Sequence, residues 1–302
     1  MRTVQLVIVG QGPAGLSAAL YTCRAGVETV IAGLKPKIDG EYEIDNYFGF
    51  AETITGAQLM DQGRRGVARF GAEFVNERVL GIHFGDDGTS YEVKTETQHF
   101  KACAVLIATG VTRSKPNIPG LDEMEGKGVS YCVSCDGFFF RGKQVVVLGE
   151  GVYAANSALE LTTYTPSVAI CTNGKAPTIT PEFMEKLKEA NIPLLEQKIA
   201  RLEGTGGLER MVFADGSSFD TFGMFVAVGE ASSGDFAKTL ALETEGNAIK
   251  VDQGQATNIP GIFAAGDCVG RFKQISVAVG EGALAGRSII SYVKEKCPKK
   301  PA

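Results

Sequence analysis

A glycine-rich loop near the N-terminus constrains the fold of this chain more than any other feature. The loop Gly10-Gln-Gly-Pro-Ala-Gly15 follows the apolar run Thr3–Val9, and apolar residues at helical spacing and a predicted strand over Thr29–Ile31 come after it. In this GxGxxG pattern the first glycine permits a tight turn, the second lets a pyrophosphate approach the backbone, and the third lets the helix pack closely. The N-terminus of the helix then presents free N–H groups to an anion. The sequence therefore predicts an α/β fold that begins with a dinucleotide-binding unit.

A second strand–loop–helix–strand unit is predicted in the middle of the chain. It starts at Gln144–Leu148, continues through the loop and helix Gly149–Leu161, and ends with a strand at Val168–Cys171. The glycine spacing is GxGxxA, but bulky Val152 and Tyr153 stand where the turn needs small groups. No acid for a ribose diol and no arginine for a 2′-phosphate follow the second strand. We expect a Rossmann-like scaffold that no longer binds a nicotinamide nucleotide. Binding of NADPH there is the alternative.

The segment Cys132-Val-Ser-Cys135-Asp136-Gly137 carries the chemistry. Two cysteines at CxxC spacing can form a small ring and exchange thiol for disulfide. A zinc site needs two more ligands, and neither a second CxxC nor a nearby histidine supplies them, so no metal is expected. A buried, inert pair is the other alternative. Asp136 is placed to give and take the proton of a leaving thiolate, or to serve as an ordinary turn residue before glycine.

Near the C-terminus, a strand predicted over 261–265 ends in Gly266-Asp267, and a long helix follows. Small residues along this helix would let it pack close to another backbone or to a flat ligand. A helix start directed at a flavin would favour the anionic reduced ring. Asp267 either accepts hydrogen bonds from a ribityl chain or caps a helix.

Length and composition exclude several classes of protein. The 302 residues correspond to about two domains at roughly 150 residues each. The net charge of −5 argues against nucleic-acid binding, and no apolar run approaches the ~20 residues of a membrane helix. Seven scattered cysteines and the absence of an export signal do not fit a secreted disulfide framework, so a cytoplasmic location is predicted.

Together these motifs resemble the low-molecular-weight thioredoxin reductases over nearly the whole chain. Further matching stretches are Asp45–Phe50, Thr55–Met60, Ala108–Gly110, Gly223–Gly229 and Gly266–Gln274. The resemblance implies two Rossmann-like, three-layer domains of the FAD/NAD-binding type, the second inserted in the first. The FAD domain would comprise residues 1–113 and 243–302, and the inserted domain, residues 114–242, would carry the CxxC.

The resemblance also implies the site. Cys132 would attack the disulfide of the partner, Cys135 would lie nearer the flavin, and Asp136 would act as acid and base. The residues expected to bind FAD are Gly10, Gly12, Pro13, Ala14, Gly15, Asn46, Thr109, Gly110, Gly266, Asp267, Gln274 and Ile275. Some flavin contacts must differ from the family pattern, because Lys35–Gly40 replaces its Gly-Gly-Gln-Leu stretch. Thioredoxin or a similar small disulfide protein is the implied partner, and a homodimer the implied assembly.

The inserted domain departs from NADPH-using members, because Cys171-Thr172-Asn173 stands where they carry His-Arg-Arg. The chain thus resembles the NADPH-independent branch, the diflavin-linked disulfide oxidoreductases and ferredoxin-dependent flavin thioredoxin reductases. The expected donor is a second flavin in the degenerate site, stacked on Tyr153 or Phe138–Phe140, or a ferredoxin. A ferredoxin would dock on a basic cluster of Arg64, Arg65 and Arg69, which is otherwise a solvated helix face.

Three other functions stay open at this point. One is an NADPH-dependent thioredoxin reductase, and another is a non-enzymatic flavin-binding redox sensor. The third is a ferredoxin–NADP reductase of the same architecture, which the CxxC argues against because that reaction needs no dithiol.

Overall fold

The computed structural model describes residues 1–110 and 116–297. The N-terminal part contains β1 (Arg2–Val9), α1 (Pro13–Arg24), β2 (Thr29–Ala32), β3 (Glu43–Ile44), β4 (Ile54–Thr55), α2 (Gly56–Ala68), β5 (Glu73–Val75), β6 (Val79–Phe84), β7 (Tyr91–Thr95) and β8 (His99–Ile107). The middle part contains β9 (Val129–Ser130), α3 (Val133–Asp136), a 3-10 turn (Gly137–Phe140), β10 (Val145–Leu148), α4 (Val152–Leu161), β11 (Val168–Cys171), α5 (Pro181–Glu189), β12 (Leu194–Leu195), β13 (Ile199–Glu203), β14 (Arg210–Phe213), β15 (Ser218–Asp220) and β16 (Gly223–Val226). The C-terminal part contains α6 (Ser233–Thr239), β17 (Thr244–Glu245), β18 (Ala248–Ile249), β19 (Ile262–Ala264), a 3-10 turn (Asp267–Val269) and α7 (Ile275–Lys296).

The chain forms two compact units, each with its own apolar core. Among the described residues, unit 1 comprises 1–110 and 232–297, and unit 2 comprises 116–231. The predicted inserted domain ran to residue 242, whereas the structure places 232–242 in unit 1. The reason is α6, which packs against β6 and β18 of unit 1 and buries Phe236 and Leu240 there.

The sheet of unit 1 has the strand order β5-β2-β1-β8-β7-β6, with β19 beside the second half of β8. Strands β5, β2, β1, β8 and β19 are parallel, and β7 and β6 are antiparallel to their neighbours. In this register Val9 pairs with Ile107, which pairs with Ala264. The loops that follow β1, β8 and β19 therefore leave the sheet at one edge, where ligands of open α/β sheets bind.

Helix α7 packs against α1 through its small residues. A Cβ at Gly282 would overlap the carbonyl oxygen of Ala14, and a Cβ at Gly286 would lie 3.0 Å from the carbonyl oxygen of Ala18. The prediction that small residues bring this helix close to another backbone is confirmed, and the backbone is that of α1.

Unit 2 has a parallel sheet in the order β12-β11-β10-β16-β9 and an antiparallel sheet of β13-β14-β15. Strand β10 is buried throughout and lies between β11 and β16, as expected of a parallel strand covered on both faces. The α/β, Rossmann-like fold class predicted from the sequence is confirmed.

Two further predictions concern membranes and metals. Over residues 1–110 and 116–297, no helix has the length and apolar character that crossing a membrane requires. In the same ranges, no three His, Cys, Asp or Glu side chains gather into a group that could hold a metal ion.

Candidate active site

The glycine loop of unit 1 contacts neighbouring residues at Gly10 and Gln11 and is open at Gly12. Gly10 has φ +118°, and a Cβ there would overlap the Ala108 carbonyl oxygen, so only glycine fits. The buried amide of Gln11 donates to the Gly33 carbonyl oxygen (2.6 Å) and to Asn76 Oδ1 (2.8 Å). A Cβ at Gly12 would instead meet no atom within 4 Å. Since no side chain caps α1, its first N–H groups are available to an anion.

The loops after β8 and β19 meet this glycine loop at the sheet edge. Thr109 follows β8, and its Oγ1 is buried without a hydrogen-bond partner among the described residues. Gly266 follows β19 with φ +83° and lies against Ala14, since a Cβ there would be 3.0 Å from the Ala14 Cβ. An unsatisfied buried hydroxyl beside an open glycine loop fits the hydroxyl and phosphate groups of FAD.

Two predicted flavin residues from distant parts of the chain contact each other directly. The Asn46 amide donates to Gln274 Oε1 at 2.9 Å and thereby links the β3–β4 segment to the start of α7. Pro13 and Ala14 form the first turn of α1, Ile275 opens α7, and Gly110 follows Thr109 with φ +77°. The FAD contacts of these residues stay predictions.

Glu281 is a site residue that the sequence analysis missed. Glu281 lies on α7 and is only 4 % exposed. Its Oε2 accepts the Gly266 N–H at 2.8 Å. Burial raises the pKa of Glu281, against the opposing effects of this hydrogen bond and of Arg271, whose Nη1 is 3.6 Å from Oε1. Glu281 therefore fixes the Gly266-Asp267 turn. A single carboxylate between Gly280 and Gly282, in a helix of small and apolar residues, was the available signal.

Cys132 and Cys135 form a disulfide at the start of a short helix in unit 2. Their Cα atoms are 5.3 Å apart. Cys132 is the N-cap of α3, and its Sγ accepts the Cys135 N–H at 3.2 Å. Cys132 is 6 % exposed, whereas Cys135 is exposed. The division of roles that the resemblance implies, with Cys132 attacking the partner, stays a prediction.

Asp136 is oriented by a residue that the sequence analysis did not identify. The hydroxyl of buried Ser130, at the end of β9, donates to Asp136 Oδ2 at 2.6 Å, and the Cys132 N–H donates to Ser130 Oγ at 3.1 Å. The Asp136 N–H in turn donates to the Cys132 carbonyl oxygen at 3.1 Å. Ser130 thus ties the predicted acid–base residue to the backbone of the redox pair.

The aromatic residues near the pair divide into core and surface. Phe140 packs edge-to-face on Phe225 with ring centroids 5.3 Å apart, and Tyr153 is buried. The stacking of these residues on a second flavin stays a prediction. Phe138 and Phe139 are 58 % and 67 % exposed.

The glycine loop of unit 2 is covered where that of unit 1 is open. The Glu150 carbonyl oxygen accepts the N–H of Thr178 at 2.7 Å and its hydroxyl at 3.3 Å, and Gly151 forms a β-bridge with Thr178. The Glu150 carboxylate forms an ion pair with Lys175 at 2.8 Å. The loop therefore carries a carboxylate that is paired with Lys175.

Comparison with known proteins extends these observations. The model of the pyridine nucleotide-disulphide oxidoreductase family matches residues 4–282. A thioredoxin reductase of Bacillus subtilis (strain 168) is 32% identical over 306 residues, which cover 96% of this chain and 95% of that one. The crystal structure of the atypical thioredoxin reductase from Desulfovibrio vulgaris Hildenborough superimposes with a TM-score of 0.95 at 58% identity, covering 99% of this chain and 100% of that one. A ferredoxin-flavin thioredoxin reductase from Clostridium acetobutylicum gives a TM-score of 0.74 at 26% identity, covering 98% and 100%.

The open FAD-type loop of one unit and the CxxC of the other define a flavoprotein disulfide oxidoreductase. The chain belongs to the thioredoxin reductase family. The family predicted from the sequence motifs, and the enzyme class that it implied, are confirmed.

Proposed function

We propose that this enzyme uses FAD bound in unit 1 to reduce the Cys132–Cys135 disulfide, that the dithiol then reduces a protein disulfide such as that of thioredoxin, and that the electron donor is not NADPH. The observation that carries the choice of donor is the contrast between the two glycine loops. The loop of unit 1 leaves Gly12 open, and that of unit 2 is bridged by Thr178 and bears Glu150.

Charge and coverage act together against a nicotinamide nucleotide in unit 2. A pyrophosphate at this loop would meet the Glu150 carboxylate, whose side chain is 16% exposed, and would have to displace Thr178 from its two hydrogen bonds. A 2′-phosphate needs cations, and Lys175 is already engaged in the ion pair with Glu150.

The same features bear on the two donors that the sequence left open. A second flavin at the degenerate loop would meet the same cover, and buried Tyr153 offers it no stacking face. We therefore favour a small electron-carrier protein of the ferredoxin class, in line with the likeness to a ferredoxin-flavin thioredoxin reductase. Its docking site is not the predicted arginine cluster as a whole, because Arg64 is paired at 2.7 Å with the Asp39 carboxylate, whose side chain is 4% exposed.

FAD, when bound, supplies the two electrons that open the Cys132–Cys135 disulfide. The protein then completes the transfer with its own groups. One thiolate attacks a sulfur of the partner disulfide and releases a partner thiolate, and the second cysteine attacks the mixed disulfide and releases the other. Two electrons pass to the partner and the CxxC disulfide is restored. Asp136, held by Ser130, exchanges the proton of the resident thiol.

Anaerobic stopped-flow absorbance of the bound flavin tests the donor and the route. Reduced ferredoxin should bleach the flavin and support repeated reduction of thioredoxin, while NADPH should leave the flavin oxidised over the same period. Rapid bleaching by NADPH would overturn the assignment of unit 2.

The variants Cys132→Ser and Cys135→Ser serve as matched controls for the thiol steps. Both should bind FAD at one per chain and lose thioredoxin reduction. Retained turnover in both would overturn the role of the pair, and two FAD per chain would point to a second flavin as donor.

A further inference from the structure

A second pair of cysteines lies in unit 1, apart from the redox pair of unit 2. Cys103 lies in β8 and Cys297 directly follows α7. The structure joins them in a disulfide between residues 194 positions apart, with Cα atoms at 6.3 Å, within the range that disulfides adopt. This pairing was not predicted from the sequence, because the two cysteines belong to no common motif.

The surroundings of Cys297 show what the bond holds in place. Its N–H donates to the Val293 carbonyl oxygen at 2.9 Å, so the last turn of α7 continues up to it. Its own carbonyl oxygen accepts the side-chain amide of Gln5 at 3.0 Å. Gln5 lies opposite Cys103, because the register pairs Val4 with Ala102 and Leu6 with Ala104. The end of α7 is therefore tied to two adjacent strands, once covalently and once by a hydrogen bond.

Exposure distinguishes this pair from the three free cysteines. Cys103 and Cys297 are partly exposed. The free cysteines Cys23, Cys171 and Cys268 are buried. A dithiol in solution therefore has access to the Cys103–Cys297 bond, while the buried thiols are shielded from exchange.

We propose that Cys103–Cys297 is a second, reversible redox site that fastens α7 to the sheet of unit 1 and is opened by a dithiol protein. A thiolate of the dithiol attacks one sulfur and releases one cysteine thiolate. Its second thiol then attacks the mixed disulfide, which releases the other cysteine and oxidises the dithiol. Two electrons enter the pair and both cysteines end as thiols.

The position of the bond determines the consequence of opening it. Cross-links that close long loops restrict the unfolded chain most, so loss of this one should lower the stability of unit 1 strongly. The opposite end of α7 begins at Ile275, beside predicted flavin residues, and Glu281 of this helix holds the Gly266 turn. The identity of the physiological reductant rests on the proposed function, since reduced thioredoxin is the product proposed above. The product would thereby loosen the unit that binds the flavin.

Counting thiols in the wild-type holoenzyme tests the bond without any substitution. The air-oxidised protein is unfolded without reductant, alkylated and weighed by mass spectrometry. We expect three alkylated cysteines, the buried Cys23, Cys171 and Cys268, and a Cys103–Cys297 cross-linked peptide after digestion. Five alkylated cysteines with only the Cys132–Cys135 peptide would overturn the proposal.

Thermal unfolding tests the effect of the redox state. In a Cys132→Ser, Cys135→Ser background, dithiothreitol should lower the unfolding temperature of the holoprotein by about 5 to 10 °C. Adding Cys103→Ser to that background should give the lower temperature at once and remove the response to dithiothreitol. An equal response with and without Cys103 would overturn the proposal.

Reduced thioredoxin, used in place of dithiothreitol, identifies the reductant. It should open the pair in the same background, as seen by alkylation of Cys103 and Cys297, and failure to do so would overturn product feedback. These measurements need neither an electron donor nor the CxxC. A failure of the proposed function therefore leaves their outcome unchanged, and the two failures are distinguishable.

Discussion

Single residues without a catalytic role shape the flavin side of the site. Gln11 holds the glycine loop from within through Gly33 and Asn76, and Glu281 holds the Gly266 turn through one hydrogen bond. Because Glu281 is buried, its charge has an energetic cost that a neutral side chain of similar shape would not have.

This cost predicts a pH-dependent difference between the wild type and Glu281→Gln. Burial raises the pKa of Glu281 above its ordinary value of 4.5. The folded protein therefore binds the proton more tightly than the unfolded chain. The stability that this group contributes is present when the pH is below its ordinary pKa. It is lost as the pH rises through the raised pKa of the folded protein.

Thermal unfolding of both holoproteins from pH 4.5 upward measures the effect. As the pH increases, the unfolding temperature of Glu281→Gln should rise relative to that of the wild type. A difference that stays constant across the range would contradict the role of the buried charge. Glu281→Ala, which removes the acceptor for the Gly266 N–H, should be less stable than Glu281→Gln at every pH.

How far the sequence predicts the site differs from residue to residue. Cys132, Cys135 and Gly12 could be found from spacing, because their chemistry lies within one motif. Ser130 and Glu281 could not, since each acts through a hydrogen bond to a residue six or fifteen positions away. The direction of such a bond is set by the packed fold and leaves no local pattern.

At the scale of elements, the contact between α1 and α7 positions the predicted flavin residues at both helix starts. The two helices approach closely at Gly282, where a Cβ would overlap the Ala14 carbonyl oxygen. Ala14 belongs to the first turn of α1, directly after the open glycine loop. Any displacement of α7 at this point therefore moves the loop.

Two glycines of the same helix provide a matched test of this contact. Gly282→Ala should destabilise the protein by about 1 to 3 kcal/mol through overpacking and weaken FAD binding. Gly280→Ala meets no atom within 4 Å and should stabilise the helix by about 0.5 to 1 kcal/mol. Thermal unfolding and FAD titration measure both effects, and similar behaviour of the two variants would show that the close contact does not limit packing.

The second glycine loop shows that the residues within a motif do not reveal what lies over it in the folded unit. The bulky residues Val152 and Tyr153 suggested a degenerate site, and both are buried. The cover is Thr178, which follows β11 and bridges back to Gly151. Sequence patterns give the strands and helices of such a unit, but they do not show which loop folds over which.

At the scale of the whole molecule, the two units have separate apolar cores. The resemblance to the low-molecular-weight thioredoxin reductases made a discontinuous unit 1 predictable. The return point was placed eleven residues too late, because α6 has no motif and its assignment depends on packing against β6 and β18.

Separate cores predict separate unfolding transitions. In differential scanning calorimetry we expect two transitions, and excess FAD should raise only the one that belongs to unit 1. The free energy of unfolding of unit 1 should increase by RT ln(1 + [FAD]/Kd), which is about 2.7 kcal/mol when free FAD is a hundredfold above Kd. A single transition that shifts as a whole would instead show that the units unfold cooperatively.

The bridge between Thr178 and Gly151 makes the proposed loss of nicotinamide use hard to reverse. Replacing Glu150 would remove the carboxylate and leave the bridge between Thr178 and Gly151, whereas truncating the Thr178 side chain would remove only the hydroxyl bond to the Glu150 carbonyl oxygen. Neither substitution alone therefore opens the loop. A protein engineer who wants such a coenzyme in this scaffold must graft the whole stretch after β11 at once.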